Sequence, residues 1–280
     1  MIPFDFDYYR PGRIQDAVRL FNQIDSAGKE PLYFGGGTEI ITGARMGTIY
    51  TGAVIDLKDI PECQALDLSG NNLIIGACVS LTRITDGGLF PLLGKVCARV
   101  ADHTAQGKIT IGGNLCGKII YHETLLPLLL ADGSAVVAGE YGQRQVPISQ
   151  VFDRKLQLNR GECIVQFIID RSYLQLPHVH IKKTRNEKID YPLVTLTSLR
   201  QEGQIRLALS GVCAFPFRSP QMEKRLNEAG RPYAYRVEKA LAAIPAPVLN
   251  NVAGMPEYRR FVLSALLMKL LAAQDEVGNV

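Results

Sequence analysis

The sequence predicts an α+β protein of two domains: an N-terminal one assembled from two α+β subdomains and a smaller α+β domain behind it. Three observations predict it. A chain of 280 residues is longer than one simple two-layer core requires. Two glycine turns, "FGGGTEI" and "TIGGN", fall in two different strand-and-helix units of the first half. In the last third the order changes to strands first and helices last, the pattern of a separate α+β unit.

The opening reads strand, helix, strand, glycine turn. "RIQDAVRLFNQI" sets Ile14, Val18, Leu20, Phe21 and Ile24 broadly on one helical face, and "PLYFGG" is a short apolar run stopped by glycine. "GAVIDLKDI" reads as a strand, "NNLIIGACVSLTRI" follows a turn with another apolar run, and "LFPLLGKVCARVA" reads as a helix. "GKITIGGNLCGKI" is a β-branched run broken by paired glycines, and "TLLPLLLADGSAVVAG" passes from a helix-like run through Asp132 and Gly133 into a strand. The pattern changes around "DRSYLQLPHVH", so the boundary is expected near Leu174 to Pro177, between domains 1–173 (split near 57) and 177–280. Beyond it come the strands "HVHIKKT", "LVTLTSLRQ" and "QIRLALSGVC". A helix follows with Ser219 as N-cap, Pro220 at its first position and Gly230 as its stop. "MPEYRRFVLSALLMKLLAAQ" is read as a closing amphipathic helix.

Composition narrows the function classes. Hydrophobic residues make up 47% and charged residues 21%, as in an ordered globular protein. The charge of +4, from 31 basic and 27 acidic residues, is too small and too dispersed to argue for nucleic acid. "MIPFDFDYYRPGRIQDAV" lacks the basic start and apolar run of an export signal, and "FVLSALLMKLLAAQ" is broken by Lys269 and short for a membrane span. A cytoplasmic protein is therefore expected. Cys63, Cys78, Cys97, Cys116, Cys163 and Cys213 contain no C-x-x-C and read as buried thiols rather than as a disulfide framework or a metal site.

Glycine removes the side chains that guard backbone N–H groups and permits unusual dihedrals, so a glycine turn can form a concave donor surface for an anion. The donors of Gly35 to Thr38 with the Thr38 hydroxyl make one such surface, and Thr110 to Asn114 a second. Two facing each other suit a diphosphate. Neither stretch fits G-x-G-x-x-G or G-x-x-x-x-G-K-[ST], and each taken alone is also consistent with a plain tight turn.

The ordered set "YFGGGTEI", "TIGGNL", "LLPLLLADGSAVV", "KKTRNEKIDYPLV" and "EYRRFVLSALL" resembles the FAD-binding medium subunit of the molybdenum hydroxylases, the family of xanthine dehydrogenase and carbon monoxide dehydrogenase flavoproteins. The likeness runs through almost the whole chain. It implies a cofactor domain of the vanillyl-alcohol oxidase type followed by a smaller C-terminal domain, and FAD as the cofactor. It further implies a molybdopterin-binding large subunit and a 2Fe-2S small subunit as partners, with NAD or another acceptor taking the electrons. By the same resemblance Tyr33, Phe34, Gly35, Gly36, Gly37, Thr38, Glu39 and Ile40 line the FAD pyrophosphate, and Thr110, Ile111, Gly112, Gly113 and Asn114 form the second pyrophosphate loop. Glu123 stands where the family has an aspartate bonded to the sugar, Ile164 lies near the flavin ring, and Lys182 matches a basic position close to it. No catalytic residue and no metal ligand is implied for this chain. The sequence departs from the family in two places: "AQGKI" before the second turn and "IIYHE" after it. Those departures motivate an alternative expectation, an assembly subunit of the same complex with weakened or lost FAD binding.

The remaining polar residues read as structure. His122 is expected to be solvated or packed in a loop. His178 and His180 share a strand face, lack a third ligand and are expected at the surface. Lys182 with Lys183 also fits an exposed strand end. Arg185, Glu187 and Asp190 fit either a salt-bridged turn or a nucleotide contact.

Overall fold

In the computed structural model, which describes residues 1–186 and 189–277, the chain begins with the strand-helix-strand unit its pattern predicts. β1 (Asp7–Tyr9), α1 (Ile14–Ser26), β2 (Leu32–Phe34), α2 (Thr38–Arg45) and β3 (Ala53–Asp56) form it. The three strands make a parallel sheet in the order β1-β3-β2. β3 is buried at all four positions, as expected for the centre of a parallel sheet. Ile14, Ala17, Val18, Phe21 and Ile24 of α1 are buried in a core shared with Ala53 and Ile55.

α3 (Pro61–Gln64) leads into β4 (Leu66–Ser69) and β5 (Asn72–Gly76), and four short helices follow: α4 (Leu81–Gly87), α5 (Pro91–Cys97), α6 (His103–Gln106) and α7 (Ile111–Cys116). Each of these four has a start signal. Ser80, Asp102 and Thr110 cap α4, α6 and α7 by accepting a backbone N–H, and Pro91 opens α5. α7 corrects the reading of "GKITIGGNLCGKI" as a β-branched run broken by a glycine turn: its paired glycines, Gly112 and Gly113, lie inside a short helix.

After α8 (Leu125–Leu130) the chain forms β6 (Ser134–Gly139), β7 (Gly142–Pro147), α9 (Ile148–Val151), the small hairpin β8 (Phe152–Asp153) and β9 (Lys155–Leu156), and then β10 (Cys163–Asp170). The five-stranded sheet runs β4-β5-β10-β6-β7, with β10 antiparallel to both neighbours and a register shift between Ile164 and Gln166. β7 is an edge strand of mostly exposed polar residues ending at Pro147, a composition that suits an unpaired edge.

β11 (His178–Thr184), β12 (Pro192–Gln201), β13 (Gln204–Ser210) and β14 (Phe217–Arg218) form an antiparallel sheet in chain order, followed by α10 (Pro220–Leu226), α11 (Tyr233–Ala242) and α12 (Pro256–Val277). Alternation gives the sheet two different faces. Val194, Leu196, Leu207 and Leu209 pack with Met222, Leu226, Val237, Leu263 and Leu267 of the three helices. Thr195 and Ser210, on the opposite face, are equally buried but bond to Glu123 and Tyr121. Two helical readings are corrected here. α10 keeps its Ser219 cap, which accepts Met222 N–H, but ends at Leu226, well before Gly230. α12 is not simply amphipathic, since Tyr258, Phe261 and Met268 are exposed on it.

The chain divides into two compact units: Met1–Lys118 with Asp132–Leu174, and Ile119–Ala131 with the chain from Gln175 onward. The segment Ile119–Ala131 therefore packs with β12, β13 and β14 rather than with the sheet of β6, to which its sequence leads directly. All six cysteines are free; five are buried and Cys116 is exposed, against the expectation that all are buried. Burial pushes the Cys163 thiol up to about 12 and the Cys213 thiol up to about 11, so both stay protonated at neutral pH.

Candidate cofactor site at the glycine loop

β2 delivers the chain into Gly35, Gly36 and Gly37, and α2 takes it away at Thr38. The helix beginning at Thr38 has no side-chain cap; Gly37 occupies the N-cap position in the left-handed region, φ 71°. A Cβ at Gly37 would run into the Phe34 ring, and a Cβ at Gly36 would overlap the Lys108 carbonyl. One at Gly35 would sit 2.8 Å from Thr110 Oγ1. The two glycine motifs are therefore in direct contact, and glycine is what permits the approach.

Helix starts leave backbone donors without intrahelical partners. Among the described residues the N–H groups of Gly35, Gly36, Gly37, Thr38, Glu39 and Ile40 donate to no protein acceptor. Six successive donors at the positive end of a helix form a ready anion site. The second loop behaves differently from the expectation. Its donors are used internally: Ile111 N–H to Val79 O (3.0 Å), Gly112 N–H to Ala77 O (2.9 Å) and Asn114 N–H to Thr110 O (2.8 Å). Gly113 N–H goes to Thr110 Oγ1 at 3.1 Å. Thr110 to Asn114 thus makes a rigid wall beside the first loop, with Gly113 exposed and Asn114 half-buried, rather than a second row of free donors.

Glu39 ties the two together. Lys118 N–H donates to Glu39 Oε1 at 2.7 Å, and a Cβ at Gly117 would lie 2.5 Å from Glu39 Oε2. Tyr33 is fixed from below: its hydroxyl donates to Gly161 O at 2.8 Å and its ring stacks on Phe21 at 4.8 Å. Burial raises the Tyr33 hydroxyl above its ordinary value, so it remains a donor. Thr38 is exposed and Ile40 half-buried. Ile164, in the same unit, is buried on β10 at the register shift.

Sequence reasoning missed one cluster at this loop. Lys58, just past β3, donates from Nζ to Gly35 O (2.8 Å) and to Asp56 Oδ2 (2.7 Å), 4.6 Å from the Phe34 ring centroid. The Asp56 side chain also accepts Lys58 N–H at 2.9 Å and the Tyr8 hydroxyl. Burial alone would raise the Asp56 carboxyl, but the bonds from Lys58 and Tyr8 outweigh it and hold the group below the usual carboxylate range. The only sequence signal was the alternation of acid and base at the end of "IDLK".

The second unit holds the other two expected residues, and they meet each other. Lys182 Nζ donates to Glu123 Oε2 at 2.7 Å, and the Thr195 hydroxyl donates to Glu123 Oε1 at 2.8 Å. Both charged side chains are buried, 2% and 6% exposed, so neither can lose the other cheaply. Lys182 is thus no exposed strand end, whereas Lys183 is exposed. His178 and His180 are half-buried rather than surface, with Nδ1 bonded to Leu176 O (2.9 Å) and Thr197 Oγ1 (3.0 Å). His122 is buried, at φ 33°. Arg185 donates to Val252 O and Asp190 accepts Tyr191 N–H at 2.7 Å; Glu187 lies outside the described residues. Among the described residues no group of three or more His, Cys, Asp or Glu is placed to hold a metal ion, and no helix is long and apolar enough to cross a membrane.

A parallel three-stranded unit whose glycine loop opens a helix with free donors, backed by a second glycine motif, defines a domain that binds a phosphate-bearing cofactor. The sequence family described as the FAD binding domain in molybdopterin dehydrogenase matches residues 4–171, and the chain belongs to it. FAD is accordingly its cofactor. The nicotinate dehydrogenase FAD-subunit of Eubacterium barkeri is 25% identical over 176 residues, 60% of this chain and 59% of that one. The carbon monoxide dehydrogenase medium chain of Hydrogenophaga pseudoflava is 25% identical over 156 residues, 54% of this chain and 53% of that one. The chain thus spans between half and two thirds of those relatives. The solved structure of quinoline 2-oxidoreductase from Pseudomonas putida 86 superposes with a TM-score of 0.85 over 99% of this chain and 98% of that chain, at 20% identity, which shows the shared fold.

Proposed function

We propose that the chain is the FAD-carrying electron-transfer subunit of a molybdopterin-dependent hydroxylase or dehydrogenase. It works in the cytoplasm with a large molybdopterin-binding subunit and a small 2Fe-2S subunit. Electrons reach it from the small subunit's clusters and leave for NAD+ or another acceptor. The observation that carries this reading is the row of unpartnered N–H donors from Gly35 to Ile40 pressed against Thr110, in a chain of this family.

In this reading the six N–H groups and the Thr38 hydroxyl grip the FAD pyrophosphate, while Thr110 to Asn114 forms the opposing wall. Glu39 braces the two segments through Lys118 N–H. When bound, FAD supplies the electron-accepting and hydride-exchanging chemistry, and the protein supplies binding, orientation and electrostatics. Ile164, Glu123 and Lys182 keep the flavin roles implied by resemblance, with one condition. Any influence of Lys182 is exerted with the Glu123 carboxylate 2.7 Å away, so its positive charge arrives largely balanced. No side chain of this chain is assigned to bond making on a substrate.

The full chain, purified alone and with its co-expressed partners, is expected to carry one non-covalent FAD that denaturation releases. A chain that is colourless and binds no added FAD sinks the reading. Anaerobic titration with NADH then decides the acceptor: bleaching of the flavin supports NAD+, and an unchanged spectrum removes it.

A further inference from the structure

Lys58 lies outside both glycine motifs, yet its ammonium donates to the glycine loop's first carbonyl at 2.8 Å. Its ammonium is fixed from three sides: the Asp56 carboxylate at 2.7 Å, the Gly35 carbonyl at 2.8 Å and the Phe34 ring 4.6 Å away. Asp56 is itself immobile, 1% exposed and held by the Tyr8 hydroxyl and by Lys58 N–H. The anchor is therefore rigid although the lysine side chain is 36% exposed.

We propose that Lys58 is a positioning residue for the pyrophosphate grip: by holding the Gly35 carbonyl to one side of the loop, it aims the Gly36 N–H at the anion on the other. This rests on the reading that the glycine loop holds the FAD diphosphate. The physical reason is the planar trans peptide. The C=O of Gly35 and the N–H of Gly36 belong to one peptide unit, which is trans like every peptide bond among the described residues, so the two groups point in opposite directions. Between two glycines that unit turns over at little steric cost. Turned over, it would present a carbonyl oxygen to a phosphate, replacing an attraction by a repulsion. Lys58 loses a charge-assisted hydrogen bond if that happens, and the loop's freedom is thereby restricted to the orientation that binds. Because Asp56 neutralises the ammonium at close range, the contribution is one of orientation more than of long-range attraction.

The experiment uses the full chain stripped of flavin and titrated with FAD and, separately, with riboflavin, which has no phosphate. The variants are Lys58→Met, which keeps the apolar stem over Phe34, and Lys58→Arg, which keeps charge and donor. Wild type is expected to bind FAD more tightly than riboflavin. Lys58→Met is expected to lose about 10- to 100-fold in FAD affinity, as for one hydrogen bond to a charged group, while riboflavin affinity changes by less than about twofold. Lys58→Arg is expected to restore most of the loss. Lys58→Met binding FAD like wild type overturns the proposal while leaving the site reading intact. So does equal loss for both flavins, because that marks a general structural role. A wild-type chain that does not distinguish FAD from riboflavin overturns the site reading itself, and the proposal with it.

Discussion

Gly36 and Asp56 in the first unit and Lys182 in the second show how much rests on single residues. Replacing Gly36 by Ala places a methyl group on the Lys108 carbonyl, backbone against backbone, so the two loops must part. FAD affinity of Gly36→Ala is expected to fall by about tenfold or more, a loss of at least about 1.4 kcal/mol; titration of the flavin-stripped chain with FAD measures it. The Asp56 carboxyl is held below its ordinary value of 3.8 in the folded chain. A depressed carboxylate contributes stability that is present above the unfolded-state value and lost as pH falls through the folded one. Denaturant unfolding from neutral pH down through that range is therefore expected to show a shallower acid loss in Asp56→Asn than in wild type. Lys182→Met removes the ammonium beside a buried carboxylate and is expected to cost about 3–5 kcal/mol, most of it regained when Glu123→Gln is added. A double-mutant cycle by urea denaturation checks it. The glycine run was legible in the sequence because glycine announces missing side chains wherever it occurs. Lys58 was not, because its meaning depends on β3 lying alongside β2 and returning it to Gly35. The pairing of Glu123 with Lys182 was equally out of reach, the two being far apart in the chain.

At the level of elements, the strongly patterned pieces were readable and the short capped ones were not. α1 follows its period because one face of it is buried, and β3, β6 and the strands β11 to β13 fall on the apolar and β-branched runs that turns bound. α7 does not. Six residues with two glycines have poor helical propensity, and the β-branched Ile109, Thr110 and Ile111 suggest a strand. The helix forms because Thr110 caps it and because Val79 and Ala77 take the N–H groups of Ile111 and Gly112. Thr110→Val is therefore expected to cost about 1 kcal/mol of stability, read as a shift in the urea midpoint, and to lower FAD affinity, since the same oxygen lies against Gly35. α10 ends early for a comparable reason. Asn227 turns its side chain onto β13, accepting Ile205 N–H at 2.8 Å and donating to Ile205 O at 2.9 Å, so the chain stops winding there instead of at Gly230.

The whole molecule is threaded rather than strung. The chain leaves the first unit after Lys118, contributes Ile119–Ala131 to the second, returns for Asp132–Leu174 and only then completes the second. Leu125 through Leu130 are all buried there, and Arg218 donates to Leu129 O at 3.3 Å. A shift in composition, on which the expected boundary near Leu174 rests, marks where a sequence changes character and carries no sign of such an excursion. A fragment ending at Leu174 would expose this leucine-rich turn, and one beginning at Gln175 would lack the carboxylate beside Lys182. Both are expected to be insoluble or unfolded by circular dichroism while the full chain is folded.

That excursion also sets a timetable during synthesis. The polypeptide emerges from the ribosome with Ile119–Ala131 long before β12 and β13 exist to receive it, so a greasy stretch must wait in the open while the rest of the first unit closes around its two ends. A chaperone that recognises leucine-rich peptides would find its binding window there, and nascent chains stalled before β13 should be its clients.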